Sequence, residues 1–469
     1  MNAYMTKKRT LTIFLLTMIN IAAICNIKNY PLISLYGFSS IFFIALASIL
    51  FFIPVALVSA ELATGWPNRG IYIWVREALG PRLGFLAIWL QWIENIIWYP
   101  TILAFIAATF AYSFDPAFSE NKLYVLLVIL ATFWTFTLLN LFGMKLSGWI
   151  SAISVLIGTI LPSIFILFLA CIWYIRGNPI QTPITLQAFF PSLASINQLV
   201  IFTGVLLSLA GMEMSAVHAL EVKNPAKDYP KAIFYSSLFI LLLTSLGSIS
   251  IAIVVPKENI NLAAGVMEAF GYFLATHHLS HLLPIVACLM AFGGLGMMST
   301  WIVGPVKGIF ASALDGDLPK FLQKVNKKNM PVNLLFVQAI FVSLLSLVFL
   351  FMPDVSSSYW ILVNLTIELY LIMYILMFIS AIVLRYTSPH IPRAYTIPGR
   401  KWGIWIVSGI GGLASIFAFV LGLFPPEQID IGKIVFYEAF LLGGLLFFCL
   451  IPHLIYLFRK KSWRSSSHL

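Results

Sequence analysis

Glu94, Glu213 and Glu368 each stand inside an otherwise apolar stretch, and Lys28 lies just beyond another. Ionisable groups in such settings are costly to hold and are functional candidates by default. The chemistry open to them is proton uptake and release, or pairing with a charged solute. Residues that weaken a helix lie close by. Ser208-Leu209-Ala210-Gly211-Met212-Glu213 puts small residues and an acid in mid-run, and Gly293-Gly294-Leu295-Gly296 leads into Trp301. Trp92-Ile93-Glu94-Asn95 and Trp98-Tyr99-Pro100 combine a carboxylate, an amide and aromatic rings. Asn95 and Trp98, three residues apart, share a helical face, whereas Glu94 points about 100° away, towards a possible partner on another span. Asn364, Thr366 and Glu368 are polar within a further apolar run, and the sequence names no partner for Glu368.

Other chemistries find little support. There is no HExxH, no GxSxG elbow and no intramembrane aspartate pair, so an enzyme is not expected. His277, His278 and His281 have a spacing that a metal would accept, but a solvated loop is the plainer reading. Cys25, Cys171, Cys288 and Cys449 form no CxxC pair and read as small apolar side chains. No metal or cofactor is expected. The net charge of +11 does not indicate nucleic acid, because the basic residues fall in short gaps between apolar runs and make no basic face.

The elements that hold these residues follow from composition. Of 469 residues, 61% are hydrophobic and 10% charged, and mean hydropathy is +0.97; soluble domains carry about 25% charged residues. A bilayer core about 30 Å thick takes about 20 apolar residues as helix. Twelve candidate spans begin near Leu11, Phe38, Leu83, Leu123, Ile150, Leu199, Ile233, Leu283, Leu334, Trp360, Ile404 and Val435. The runs are continuous rather than alternating, which favours helices over a barrel. The first run follows Lys7, Lys8 and Arg9 but lacks a small-residue cleavage site, so it reads as a retained span. With twelve spans, 23 of the 28 lysines and arginines fall on one side; Lys28, Lys122, Arg176, Lys257 and Lys433 fall on the other. The positive-inside rule then puts both termini in the cytoplasm.

Four segments carry a resemblance. Ala60-Glu61-Leu62-Ala63-Thr64-Gly65-Trp66-Pro67 closes the second span, and Arg69-Gly70-Ile71-Tyr72 follows. Gly211-Met212-Glu213 runs on to Glu221-Val222-Lys223-Asn224-Pro225 and Pro230-Lys231-Ala232. Ser312-Ala313 precedes Asp315-Gly316-Asp317-Leu318-Pro319 and Asn329-Met330-Pro331. Arg393-Ala394-Tyr395-Thr396-Ile397-Pro398-Gly399 precedes the eleventh span. Together, over nearly the whole chain, these resemble the amino acid–polyamine–organocation transporter superfamily. The second and third segments look like its G-x-E…E-x-x-N-P…P-x-A and A-x-D-G-x-L-P…N-x-x-P signatures. Glu94-Asn95 and Trp98-Tyr99-Pro100 look most like bacterial glutamate/GABA antiporters.

The resemblance implies an all-α membrane protein of about twelve helices. Two inverted five-helix repeats of the leucine-transporter kind, residues 11–175 and 195–386, are followed by two further helices over 402–459. Short cytoplasmic tails, 1–10 and 460–469, complete the chain. Spans one and six are expected to be broken at mid-depth, offering N–H groups to a carboxylate and carbonyls to an ammonium. Substrate contacts are expected from Ile24, Cys25 and Asn26 in span one, where the family has glycines and this chain has none. Asn95, Trp98, Ser208, Ala210, Gly211, Met212 and Trp301 complete the expected set. Glu213, Glu94, Glu368 and Lys28 are the candidates for proton coupling or gating. Lys28 reads equally as attracting an anionic substrate or as a snorkelling side chain. The implied function is alternating-access transport of amino acids in a bacterial inner membrane, by exchange or with protons. A transporter-like amino acid sensor and a polyamine or organocation carrier are the alternatives. Lipid and small-molecule substrates are the partners.

Overall fold

The computed structural model describes residues 12–67, 70–142, 153–191, 196–215, 222 and 224–464. Ala216, Glu221 and Lys223 of the second motif, Arg69 after the second span, and Lys145 lie outside the described residues. The described chain is helical, with one isolated bridge between Val325 and Pro331. A helix satisfies its own backbone, which a hydrocarbon environment demands. Among the described residues nine helices are long and apolar enough to cross a membrane.

The other three expected segments have distinct forms. The first is a 12-residue helix, Ile13–Ile24, followed by short turns. The sixth is interrupted after Phe202–Ser208. The eighth is a single helix, Leu283–Leu314. Spans are numbered below by the twelve apolar segments.

Local signals set the helix ends. Asn121 and Asp354 cap spans four and ten by accepting from the backbone N–H three residues on. Gly80, at φ +92°, turns the chain from the short amphipathic helix Ile71–Leu79 into span three, whose first residue is Pro81.

Spans three (Pro81–Ala111) and ten (Val355–Thr387) are the centre of the bundle. Their most apolar windows are 89% and 67% buried, against 22% for span twelve (Ile434–Leu457). Glycines allow a close crossing between spans five and eight. A methyl added to Gly158 would lie 2.5 Å from the Gly293 Cα, and one on Gly293 would overlap Gly158 in turn. Small residues at such crossings let backbones touch where lipid offers no hydrophobic drive. Gly158 also sits in a π-helical turn, Leu156–Ile160.

The end of the bundle bearing most basic side chains is tied by ion pairs. Glu61 closes span two against Arg385 of span ten, whose Nε lies 2.9 Å away. The Ile397 N–H donates to the same carboxylate at 2.8 Å, and Thr64 accepts from the Tyr395 N–H at 3.2 Å. The first and fourth motifs therefore meet. Tyr72 donates to Asp317 at 2.8 Å, Arg76 pairs with Asp315 at 2.7 Å, and Arg459 reaches Asp317 at 3.2 Å. The first motif's loop is thus joined to the third motif and to the carboxy-terminal end. Burial raises the Asp317 carboxyl above the usual aspartate range, against the opposing pull of Tyr72 and Arg459.

Candidate functional site: a cavity between two helix breaks

Span one stops at Ile24. Cys25 (φ −68°, ψ 109°) and Asn26 (φ −137°, ψ 117°) are extended, and the chain resumes as tight turns over Ile27–Asn29 and Tyr30–Ser34. Pro31 sits in the first turn of the last piece, where no hydrogen bond is lost. The Asn26 side chain accepts from the Lys28 N–H at 3.1 Å. The conformations of residues 25 and 26 are open to any L-residue, so this interruption needs no glycine.

Span six breaks differently. Helix Phe202–Ser208 ends, and Gly211 takes φ +111° before a short turn over Met212–Ser215. That conformation favours glycine. The Gly211 N–H donates to the Tyr374 hydroxyl at 3.0 Å. The same hydroxyl donates to Glu213 at 2.6 Å, and Tyr370 donates to the other Glu213 oxygen. Gln91 stands 3.5 Å from that carboxylate. One tyrosine therefore ties the unwound backbone of span six and its acid to span ten.

The two breaks and span three border a cavity of about 60 Å³. Ile24, Asn26, Lys28 and Asn29 line it from span one; Ala210 and Gly211 line it from span six. Glu94, Asn95 and Trp98 face it from span three, with Trp301 from span eight and Tyr370 from span ten. Glu94 thus shares the lining with Asn95, whose side chain donates to it and to the Gln91 carbonyl. Trp98 and Trp301 meet at 6.0 Å between ring centroids, and Tyr99 fixes the Trp301 carbonyl at 2.9 Å. Cys25, Ser208 and Met212 are buried beside the lining rather than on it. Glu213 lies behind Tyr370, and Glu368 is outside the cavity, against span eleven.

Lys28 is 1% exposed. Its ammonium donates to Tyr359 at 3.3 Å and Thr101 at 3.5 Å, and lies 5.4–5.5 Å from the Tyr359 and Trp98 rings. Aromatic faces attract a desolvated cation. Among the described residues no carboxylate pairs with it. One acid, Glu94, with a lysine and aromatic walls thus surrounds a space large enough for only a few waters. Ligand sites usually exceed 300 Å³, so the cavity must widen to admit a solute.

Sequence reasoning missed Tyr370, Tyr374, Gln91 and Tyr359. Two tyrosines four apart on span ten were the available signal, since that spacing stacks both hydroxyls on one helix face.

Comparison with known proteins identifies the family. Residues 9–446 match the amino acid permease family model. The chain is 46% identical over 457 residues to an uncharacterised transporter of Legionella pneumophila, covering 97% of both chains. It is 35% identical over 444 residues to a glutamate/gamma-aminobutyrate antiporter of Lactococcus lactis subsp. lactis, covering 93% of this chain and 88% of that one. A second such antiporter, from Lactococcus lactis subsp. cremoris, is 34% identical over 460 residues, with 97% and 92% covered. The chain belongs to the amino acid permease family, within the amino acid–polyamine–organocation superfamily. It is a multi-pass membrane transporter.

Proposed function

We propose that this transporter exchanges amino acids by alternating access, in a bacterial inner membrane with its basic end at the cytoplasm. The carrying observation is one cavity bounded by the breaks of spans one and six, with Glu213 held behind it by Tyr370 and Tyr374. The names of the Lactococcus relatives support exchange and an acidic substrate. Residues 11–175 and 195–386 act as the two inverted repeats that rock about this site, as in other carriers with paired broken helices. In this reading Ala210 and Gly211, whose N–H groups are already donated to Leu207 and Tyr374, offer backbone carbonyls to the substrate, Asn95 and Asn26 orient it, and Trp98 and Trp301 cover it. Ser208 and Met212 set the edges of the span-six break, and Cys25 that of span one. Glu94 faces the ammonium end. Lys28 faces a carboxylate, since a buried cation without an acid partner gains most from an anionic ligand. Glu213 is the proton-linked acid.

Thermal unfolding of purified protein with a panel of amino acids tests this, because a ligand that binds only the folded state raises the melting temperature. Acidic amino acids are expected to raise it, and Lys28→Met to abolish that rise while sparing any from neutral ones. A wild-type protein stabilised by no amino acid would contradict the proposal.

A further inference from the structure

Glu368 plays no part in the cavity just described. It follows Asn364 by one turn and precedes Tyr370 by two residues, so it points about 200° around span ten from the tyrosine that holds Glu213. Its side chain is fully buried, and among the described residues neither carboxyl oxygen has a hydrogen-bond partner. The space it occupies is a cradle at the end of span eleven (Arg400–Gly422). A methyl group on Gly422 would overlap Oε1 and lie 2.8 Å from the carboxyl carbon.

The neighbours explain why nothing answers the carboxyl. Asn364 spends its amide hydrogens on the Gly422 carbonyl at 2.7 Å and the Tyr437 hydroxyl at 3.0 Å. Its oxygen accepts from Thr203 of span six at 3.4 Å. Trp360 donates to Tyr437 at 3.1 Å. Spans six, ten, eleven and twelve thus share a satisfied polar network that stops one turn short of Glu368. From the elements packed there, the Tyr437 hydroxyl on span twelve is the titratable group that bears on Glu368. No charged side chain among the described residues does. An ionised carboxylate so placed has neither donor nor counter-ion, and a buried charge in that position neutralises instead.

We infer that Glu368 is a proton-binding site, separate from the transport cavity, whose occupancy is linked to the contact between spans ten and eleven. With Gly422 against it, the carboxyl keeps its proton. Releasing that proton requires water or a cation, and the carboxyl gains either only if span ten parts from span eleven. Linkage runs both ways: raising the pH works against the contact, and forming the contact takes up a proton. Span ten also carries Tyr370 and Tyr374, so the same helix connects this rear site to the span-six break.

Infrared spectroscopy of the purified protein in lipid at neutral pH tests the site without needing transport. A protonated-carboxyl C=O band at the high-frequency edge, where acids lacking hydrogen bonds absorb, is expected. It should vanish in Glu368→Gln, survive in Glu213→Gln and Glu94→Gln, and persist at high sodium. Glutamine is the neutral isostere of the protonated acid, so that variant is expected to fold with wild-type thermal stability. Loss of an ionised-carboxylate band instead, no spectral change, failure of the variant to fold, or disappearance of the band in sodium would each overturn the inference. The transport readout alone rests on the carrier reading. Exchange by Glu368→Gln should lack the alkaline decline of the wild type, and an identical decline in both would overturn the linkage. A protein that carries nothing would still show the band, so the two readings fail separately.

Discussion

At the scale of single residues, the Tyr374 hydroxyl has an unusual load. It accepts from the Gly211 N–H and donates to Glu213, so it stabilises both the unwound backbone and the acid. Tyr374→Phe leaves the buried Gly211 N–H without its acceptor and takes one donor from Glu213, which keeps Tyr370, so a cost of about 1–3 kcal/mol is expected. Transport efficiency is expected to fall by about tenfold or more, since about 1.4 kcal/mol is one decade in rate. An initial-rate assay on membranes with matched expression checks this. Glu213→Gln keeps the shape of the acid and removes its charge, and is expected to alter the pH dependence of uptake while leaving the alkaline decline assigned to Glu368. A variant with the full wild-type pH profile would remove Glu213 as the proton-linked group. At this scale the sequence was partly legible. Acids and a lysine in apolar runs announce themselves, because burying them is costly. The tyrosines that hold Glu213 do not, since an aromatic ring in a membrane helix is ordinary and its hydroxyl acquires meaning only when a partner span is placed against it.

At the scale of elements, close crossings and ion-paired ends predict stability. Gly293→Ala drives a methyl into the Gly158 backbone, and overpacking of this kind costs about 1–3 kcal/mol. Thermal unfolding in detergent should show a lowered midpoint, whereas Ala at Gly304, where nothing lies within 4 Å, should leave it unchanged. Glu61→Gln leaves Arg385 and Arg393 facing a neutral amide in a nearly buried site, and removing one partner of such a pair costs about 3–5 kcal/mol. Outside the spans, the helix Gly265–Thr276 holds Glu268, whose carboxyl burial pushes up from 4.5 to about 7, with Glu120 adding to the rise and the Asn261 N–H opposing it. The folded state therefore binds this proton more tightly than the unfolded chain. Its stabilising contribution is complete below about pH 4.5 and is lost as pH rises through about 7. Melting temperature should decline over that window, and Glu268→Gln should flatten the decline.

The elements also show what a sequence conveys about breaks. Gly211 at φ +111° is legible, because few other residues tolerate it. The span-one break is not signalled by glycine, since Cys25 and Asn26 are extended and Asn26 caps the turn that follows. The expectation that glycines should mark that place came from the resemblance. The physical requirement was only an extended pair followed by a proline-started turn.

At the scale of the whole molecule, hydropathy located the apolar segments, and the first, third and fourth motifs turned out to be largely structural, whereas the second supplies the span-six break. Glu61, Tyr72, Asp315 and Asp317 fasten the basic end and are not among the cavity residues of spans one, three, six and eight. That separation could not be read from motif spacing alone, because it depends on which spans are neighbours. The cavity of about 60 Å³ is too small for a solute, so the account requires a second, wider arrangement. The most direct measurement is the entry of labelled glutamate into proteoliposomes that are either empty or preloaded with unlabelled amino acid. Exchange predicts rapid uptake into loaded vesicles and little into empty ones, at equal pH on both sides. Equal uptake into both, or uptake into neither, would contradict it.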